Sequence, residues 1–432
     1  MTFPHSMHTF LRSLALVAAL ALAACGGGSL SFDEGQLRLV NMASSVGDLD
    51  LFADGDAVVT GVAPFTGSGY ADLEEDTYSL ELRESGDAAT LLTTSTTLSR
   101  KKHQTVVAYS NGGTLAATVL DDEEGEPGKD KAKLRIFNTA ASDPVDVYLI
   151  TGACSTLETS AAAPTTSAVT GLQSAYSELA SSATAYHLCV TTAGDRSDVR
   201  LDIPSFTLTE KRIVTVILAP GAGGTLLNAV VLDQQDAATP ALNPSARVRV
   251  AASVAPSLPV TVAVNGTTVA SGLTSPNVGP YIIVPAGPVS VSVNGADIAP
   301  EKPLTAAPGA DVTVLLTGST PTVTLLADDN TPSSSTARPV KLRVVNGLNG
   351  LPGTATLTLN NVVVGSGAAP GAASGYTLVA ASAGLARLEA RVGTVQVYFA
   401  PTATLESGRV YTLFLLGDAS AAPNTGILVP DR

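Results

Sequence analysis

The sequence predicts an all-β protein: four tandem immunoglobulin-like antiparallel β-sandwich modules behind a lipoprotein signal peptide. Three observations carry this expectation. Of 432 residues, 45% are hydrophobic, yet tryptophan is absent, aromatics reach only 4%, and glycine and proline number 39 and 26. That is the composition of many short strands with frequent turns. Apolar and polar residues alternate in valine-rich runs as far as the C-terminus, the period of a half-buried strand. One pattern of landmarks also returns four times.

The chain opens with Arg12, an apolar run from Leu14 to Leu22, and Leu22-Ala23-Ala24-Cys25. A charged flank, a short apolar core and small residues before a cut make residues 1–24 a signal peptide. The run is short of the ~20 residues a spanning helix needs. The cut before cysteine resembles the bacterial lipobox. That resemblance implies acylation of Cys25, cleavage before it, and acylation of the new amine. Several acyl chains anchor stably where one does not. The competing reading is an ordinary signal peptide with an incidental cysteine. Met7 offers a second start, with no consequence for function. Gly26 stands where an aspartate would retain some lipoproteins in the inner membrane, so the outer membrane is favoured by analogy. Residues 25–36, with their glycine run, are expected to be a flexible tether.

Four openings follow: Leu37-Arg38-Leu39-Val40-Asn41, Leu134-Arg135-Ile136-Phe137-Asn138, Val248-Arg249-Val250 and Leu342-Arg343-Val344-Val345-Asn346. At 17 or 18 residues beyond each lies a turn pair: Asp54-Gly55, Thr151-Gly152, Asn265-Gly266 and Asn360-Asn361. Such pairs between alternating apolar residues signal hairpins, because both residues adopt positive φ. A tyrosine comes next in each copy, at Tyr70, Tyr176, Tyr281 and Tyr376, with an insertion before Tyr176. A second hairpin is expected to return through Thr105, Thr215, Thr313 and Thr412. Each copy closes near an aspartate: Asp121, Asp233, Asp328 and Asp431. The expected domains are 37–121, 134–233, 246–329 and 340–432, joined by short polar spacers, and each is long enough to bury its own core.

The openings, the Asp50-Leu51-Phe52 and Asp146-Val147-Tyr148 strands, the tyrosine and the closing Leu-x-Asp-Asp resemble the bacterial domain-of-unknown-function family 4397. The resemblance covers roughly residues 37–432. It is loosest in copy four, which lacks the aspartate before its hairpin and the Asp-Asp ending. It implies exported tandem β-sandwich modules and supplies no catalytic residues.

The formal charge of −14 is concentrated near the anchor, with 19 acids against 7 bases over residues 25–131. This excludes nucleic acid, which demands a basic patch, and electrostatic docking to anionic lipid. Reactive groups are sparse. His103 and His187 are the histidines left after processing, with no zinc-type spacing. His103 lies in the polar run Arg100-Lys101-Lys102-His103, expected to be a hairpin turn. Asp48, Asp50, Asp54 and Asp56 lack the spacing and distal Glu of a calcium loop. Asn265-Gly266-Thr267 reads as a turn rather than a glycan acceptor. The repeated tyrosines are read as packing residues, with ligand stacking as the alternative. Cys154 and Cys189, found in copy two alone, are an even pair in an exported chain. They form a disulfide restraining the insertion, or two buried thiols.

The function expected is therefore a lipid-anchored, non-enzymatic cell-envelope protein that displays its modules for binding or structural spacing. It would use no cofactor or metal, with the membrane as one partner and an envelope protein or glycan as another. The alternatives are a glycan- or cell-wall-binding lipoprotein and, more distantly, an envelope hydrolase.

Overall fold

A computed structural model describes residues 34–432, except 112, 141–143, 170–171, 334, 336 and 420–425. The signal peptide, Cys25 and residues 26–33 of the expected tether lie outside the described residues.

The described chain is strand after strand, with one short 3₁₀ helix, Cys154–Thr159. Four times a four-stranded sheet faces a five-stranded one. In the first module the four-stranded sheet is built from Leu49–Ala53, Asp56–Val62, Asp76–Glu84 and Thr90–Leu98. The five-stranded sheet centres on an opening strand, Glu34–Met42, and an inner strand, His103–Asn111, with the closing strand Thr114–Asp121 beside it. The same plan recurs with opening strands Lys131–Asn138, Ser245–Val254 and Val340–Asn349. The matching inner strands are Ile213–Pro220, Asp311–Gly318 and Val410–Asp418.

Opening and inner strands pair in parallel in every module, so the sheets are mixed rather than wholly antiparallel as expected. The chain forms the entire second sheet between these two strands, which gives it a crossover long enough for parallel pairing. For the same reason Arg100-Lys101-Lys102 is not a hairpin turn. It carries the chain from one sheet to the other.

The tight turns follow the sequence in three copies. Asp54-Gly55, Asn265-Gly266 and Asn360-Asn361 all adopt positive φ. Thr151-Gly152 does not form the expected two-residue hairpin. Its strand, Val145–Ile150, pairs with Thr166–Val169 only after the inserted segment.

Leu37 and Leu39 pack with Leu49, Leu51, Leu80 and Leu82 in the first module's core. Three further clusters fill the other modules in the same way. The opening strands are not half-buried as expected. Their second face is covered by a neighbouring module. Val40, Met42, Val107 and Tyr109 of module one meet Phe137 and Ile217 of module two. Ala251 and Leu315 of module three meet Val345, Phe414 and Leu416 of module four. A Cβ at Gly347 would come within 2.8 Å of Leu416 and 2.9 Å of Leu315, so both leucine side chains would have to shift to admit it.

The linkers are not extended spacers. Ala238–Ala241 adds a strand to the closing strand Leu227–Asp233. Gln234 and the backbone of Glu124 exchange two hydrogen bonds, each 2.9 Å. Asn330 is fully buried and donates to Asp311 Oδ2 at 2.7 Å. The two module pairs meet through the loop Pro220–Leu226. Gly223 N donates to Gly309 O, and Asn330 N donates to Gly223 O, both at 3.0 Å. A side chain at Gly223 would collide with the Asp311 backbone, so this approach requires glycine.

Candidate functional site at the module junctions

One polar set recurs in all four modules. The second residue of each sequence opening is an arginine. On the opening strand it points away from the module's own core, because side chains alternate faces. Parallel register sets a threonine opposite each one: Arg38 and Thr105, Arg135 and Thr215, Arg249 and Thr313, Arg343 and Thr412. Arginine Nε donates to threonine Oγ1 at 2.7, 3.2, 2.9 and 3.1 Å in turn.

The tyrosine completes the set from the sheet edge. In modules one, three and four, two short edge strands pair with the opening strand, and the chain breaks between them at the tyrosine. The ring then lies over the guanidinium. Arginine Cζ is 4.3 Å from the Tyr70 centroid and 4.5 Å from those of Tyr176, Tyr281 and Tyr376. Such stacking gains strength when desolvated.

In modules one, three and four an acid at the end of the closing strand, or just past it, supplies the counter-charge. Tyr70 and Tyr281 hydroxyls donate to Asp122 and Asp328 at 2.5 and 2.7 Å. Thr313 and Thr412 donate to Asp328 and Asp431 at 2.6 and 2.5 Å. In the second pair the acids are exchanged across the seam. Arg249 of module three holds Asp431 of module four at 2.5 Å, and Arg343 of module four holds Asp328 of module three. In the first pair, Arg38 reaches Asp122 at 3.4 Å and donates to the Asp233 carbonyl of module two at 3.2 Å. Module two carries Gln234 where the others carry the acid, and Arg135 Nη2 is buried without a hydrogen-bond partner.

Arg38, Arg249 and Arg343 are at most 2% exposed. Burial works against the charge of Arg249, but Tyr281, Asp431 and Asp328 outweigh it and raise its pKa. Burial, aided by facing aspartates, raises the pKa of Tyr70, Tyr281 and Tyr376, so these hydroxyls stay protonated at neutral pH. Most members are occupied by another member or by the opposite module, although Arg249 Nη2 and Tyr376 Oη, like Arg135 Nη2, are buried without a hydrogen-bond partner. The arrangement can clamp two sheets together and offers little to a solvent-borne ligand.

The remaining candidates are placed as follows. His103 Nδ1 lies 2.9 Å from Glu123 and His187 Nδ1 lies 2.8 Å from Asp202. Asp50 accepts from Gly61 N at 2.7 Å and Ser85 Oγ at 2.5 Å, and Asp54 accepts from Ser79 N at 2.8 Å. These two carboxylates tie their hairpin to the neighbouring strand Asp76–Glu84 and the residue after it. Asn265 Oδ1 accepts from Ser290 N at 2.9 Å, which ties its turn to the segment before strand Val291–Val293. Cys154 and Cys189 are joined by a disulfide. Sequence reasoning marked the arginines, threonines, tyrosines, Asp328 and Asp431 as landmarks, took Asp121 rather than Asp122 as the first closing acid, and missed that these residues cluster. The available signal was an arginine between apolar residues in all four opening strands.

The family described as Domain of unknown function (DUF4397) matches residues 35–148 and 246–352, together more than half of the chain. The chain belongs to this family. Each match runs past a closing strand and through the next module's opening strand, so each spans a seam. None of the curated proteins matches. Among solved structures, the Bacillus anthracis TIE protein is similar over 89% of this chain and 68% of its own, at 10% identity and a TM-score of 0.14. That likeness is too slight to support an argument.

Proposed function

We propose that the protein is a lipid-anchored, non-enzymatic component of the bacterial cell envelope, favouring the outer membrane. Its β-sandwich modules form a stiff body for binding or structural spacing. The observation that carries this reading is the fate of the repeated polar set. The constellation common to the modules is buried at seams and spent on holding modules together. The lipobox-like Leu22-Ala23-Ala24-Cys25 supports the anchor.

Cys25→Ala is expected to abolish acylation and leave uncleaved or mis-sorted precursor. Growth with a clickable fatty acid tests this, and equal label on variant and parent would refute the lipoprotein reading. One observation favours the glycan-binding alternative. A cavity of about 520 Å³, lined by Ser44, Ser110, Thr331, Ser333 and Tyr376, opens where modules one to four converge. Hydroxyls beside an aromatic ring suit a sugar. Binding of the full chain to a panel of envelope glycans decides between the two readings.

A further inference from the structure

The outer face of module two holds a set of metal-ligating side chains that none of the other modules repeats. Cys189 and Asp202 are direct partners across the strands Ser182–Thr192 and Asp195–Leu208, so both side chains leave the sheet on one side. His187, two residues before Cys189, shares that side. It is the side away from the module core, which is filled by Leu188, Val190 and Leu201. In this copy alone the chain does not turn back after Ile150. Its inserted 3₁₀ helix lies over the outer face and buries Cys154 and Leu157 against Tyr148 and Cys189. Cys154 Sγ, Cys189 Sγ and a carboxylate oxygen of Asp202 all lie within 4.8 Å of one another. His187 Nδ1 stands 2.8 Å from Asp202 Oδ1. Cys154 and Asp202 also line a cleft of about 490 Å³ between modules two and three.

We infer that the Cys154–Cys189 disulfide is the oxidised form of a zinc site. A bridge that only restrained the insertion would need no carboxylate beside both sulfurs and no imidazole behind that carboxylate. A dithiol reductant delivers two electrons, leaving two cysteine thiols and its own disulfide. One Zn²⁺ then displaces a proton from each thiol and takes two thiolates and the Asp202 carboxylate. This soft-rich donor set suits zinc, and three protein ligands leave a fourth position for water from the cleft. His187 acts behind Asp202, as outer hydrogen-bonding partners of metal ligands do.

The test uses the full chain carrying Cys25→Ala, so that Cys154 and Cys189 are its only thiols. Cobalt(II) serves as the probe, because its thiolate charge-transfer absorption reports cysteine ligation directly. After reduction and removal of reductant, the protein should bind one equivalent of cobalt with that absorption, and zinc should displace it. The oxidised protein should bind none. Asp202→Asn should weaken binding at least tenfold, and His187→Ala by about 10-fold or more. Three results would overturn the inference. They are a reduced, folded protein without the absorption, an Asp202→Asn variant that binds like the parent (a plain dithiol), and loss of the strand circular dichroism on reduction.

Discussion

Asp431 shows what a single residue does at a seam. It lies in module four, yet its carboxylate holds Arg249 of module three, 182 positions away in the chain. Removing one partner of a buried pair strands the other charge, which typically costs about 3–5 kcal/mol. Asp431→Ala is therefore expected to lose that much in denaturant unfolding. The double variant Asp431→Leu with Arg249→Met should lose less than the single variants together, because no charge is left behind. A single-variant loss below about 1 kcal/mol would show that the clamp carries no stability. Arg249, Tyr281, Thr313 and Asp328 were each visible as repeated letters. Their convergence was not, because it depends on a parallel register and an edge break that no local period encodes.

Among elements, the hairpins were the most legible and the sheet order the least. Gly266 adopts φ +78° with nothing within 4 Å of the place a Cβ would occupy. Gly266→Ala should therefore cost about 1–2 kcal/mol through backbone strain alone. Gly152 looks equivalent in sequence but is not among the positive-φ glycines, so Gly152→Ala should cost less, its close contact being Thr156 Oγ1 at 3.3 Å. Comparing the two variants by thermal melting separates turn chemistry from position in the repeat, and equal losses would contradict the difference in backbone. Strand period and turn pairs are local signals, so they could be read directly. Alternation along Leu37-Arg38-Leu39-Val40 fixed which residues share a face, but not that Arg38 and Val40 would be covered by another module. That coverage comes from tertiary packing. The inserted 3₁₀ helix of module two likewise left no period to read.

In the whole molecule the modules are paired bodies rather than separate beads. Each module has its own interior, as expected, but the outer sheets of one and two, and of three and four, share a second one. Residues 245–329 made alone would bare Ala251, Leu315 and Arg249, and are expected to self-associate or melt well below residues 245–432. Light scattering coupled to size exclusion, with melting curves, reads this out. A monomeric, equally stable single module would overturn the pairing. The boundaries near each opening were legible because the repeats announce them. The seams were not, because linkers rich in Pro, Ala and Ser look like spacers until Ala238–Ala241 is seen to join a sheet. The paired seams also impose a parity rule on how such a chain can grow. Gain or loss of one repeat would leave an apolar sheet and a buried arginine uncovered, whereas gain or loss of two would keep every face closed. Viable length variants of this architecture should therefore differ by adjacent couples of repeats.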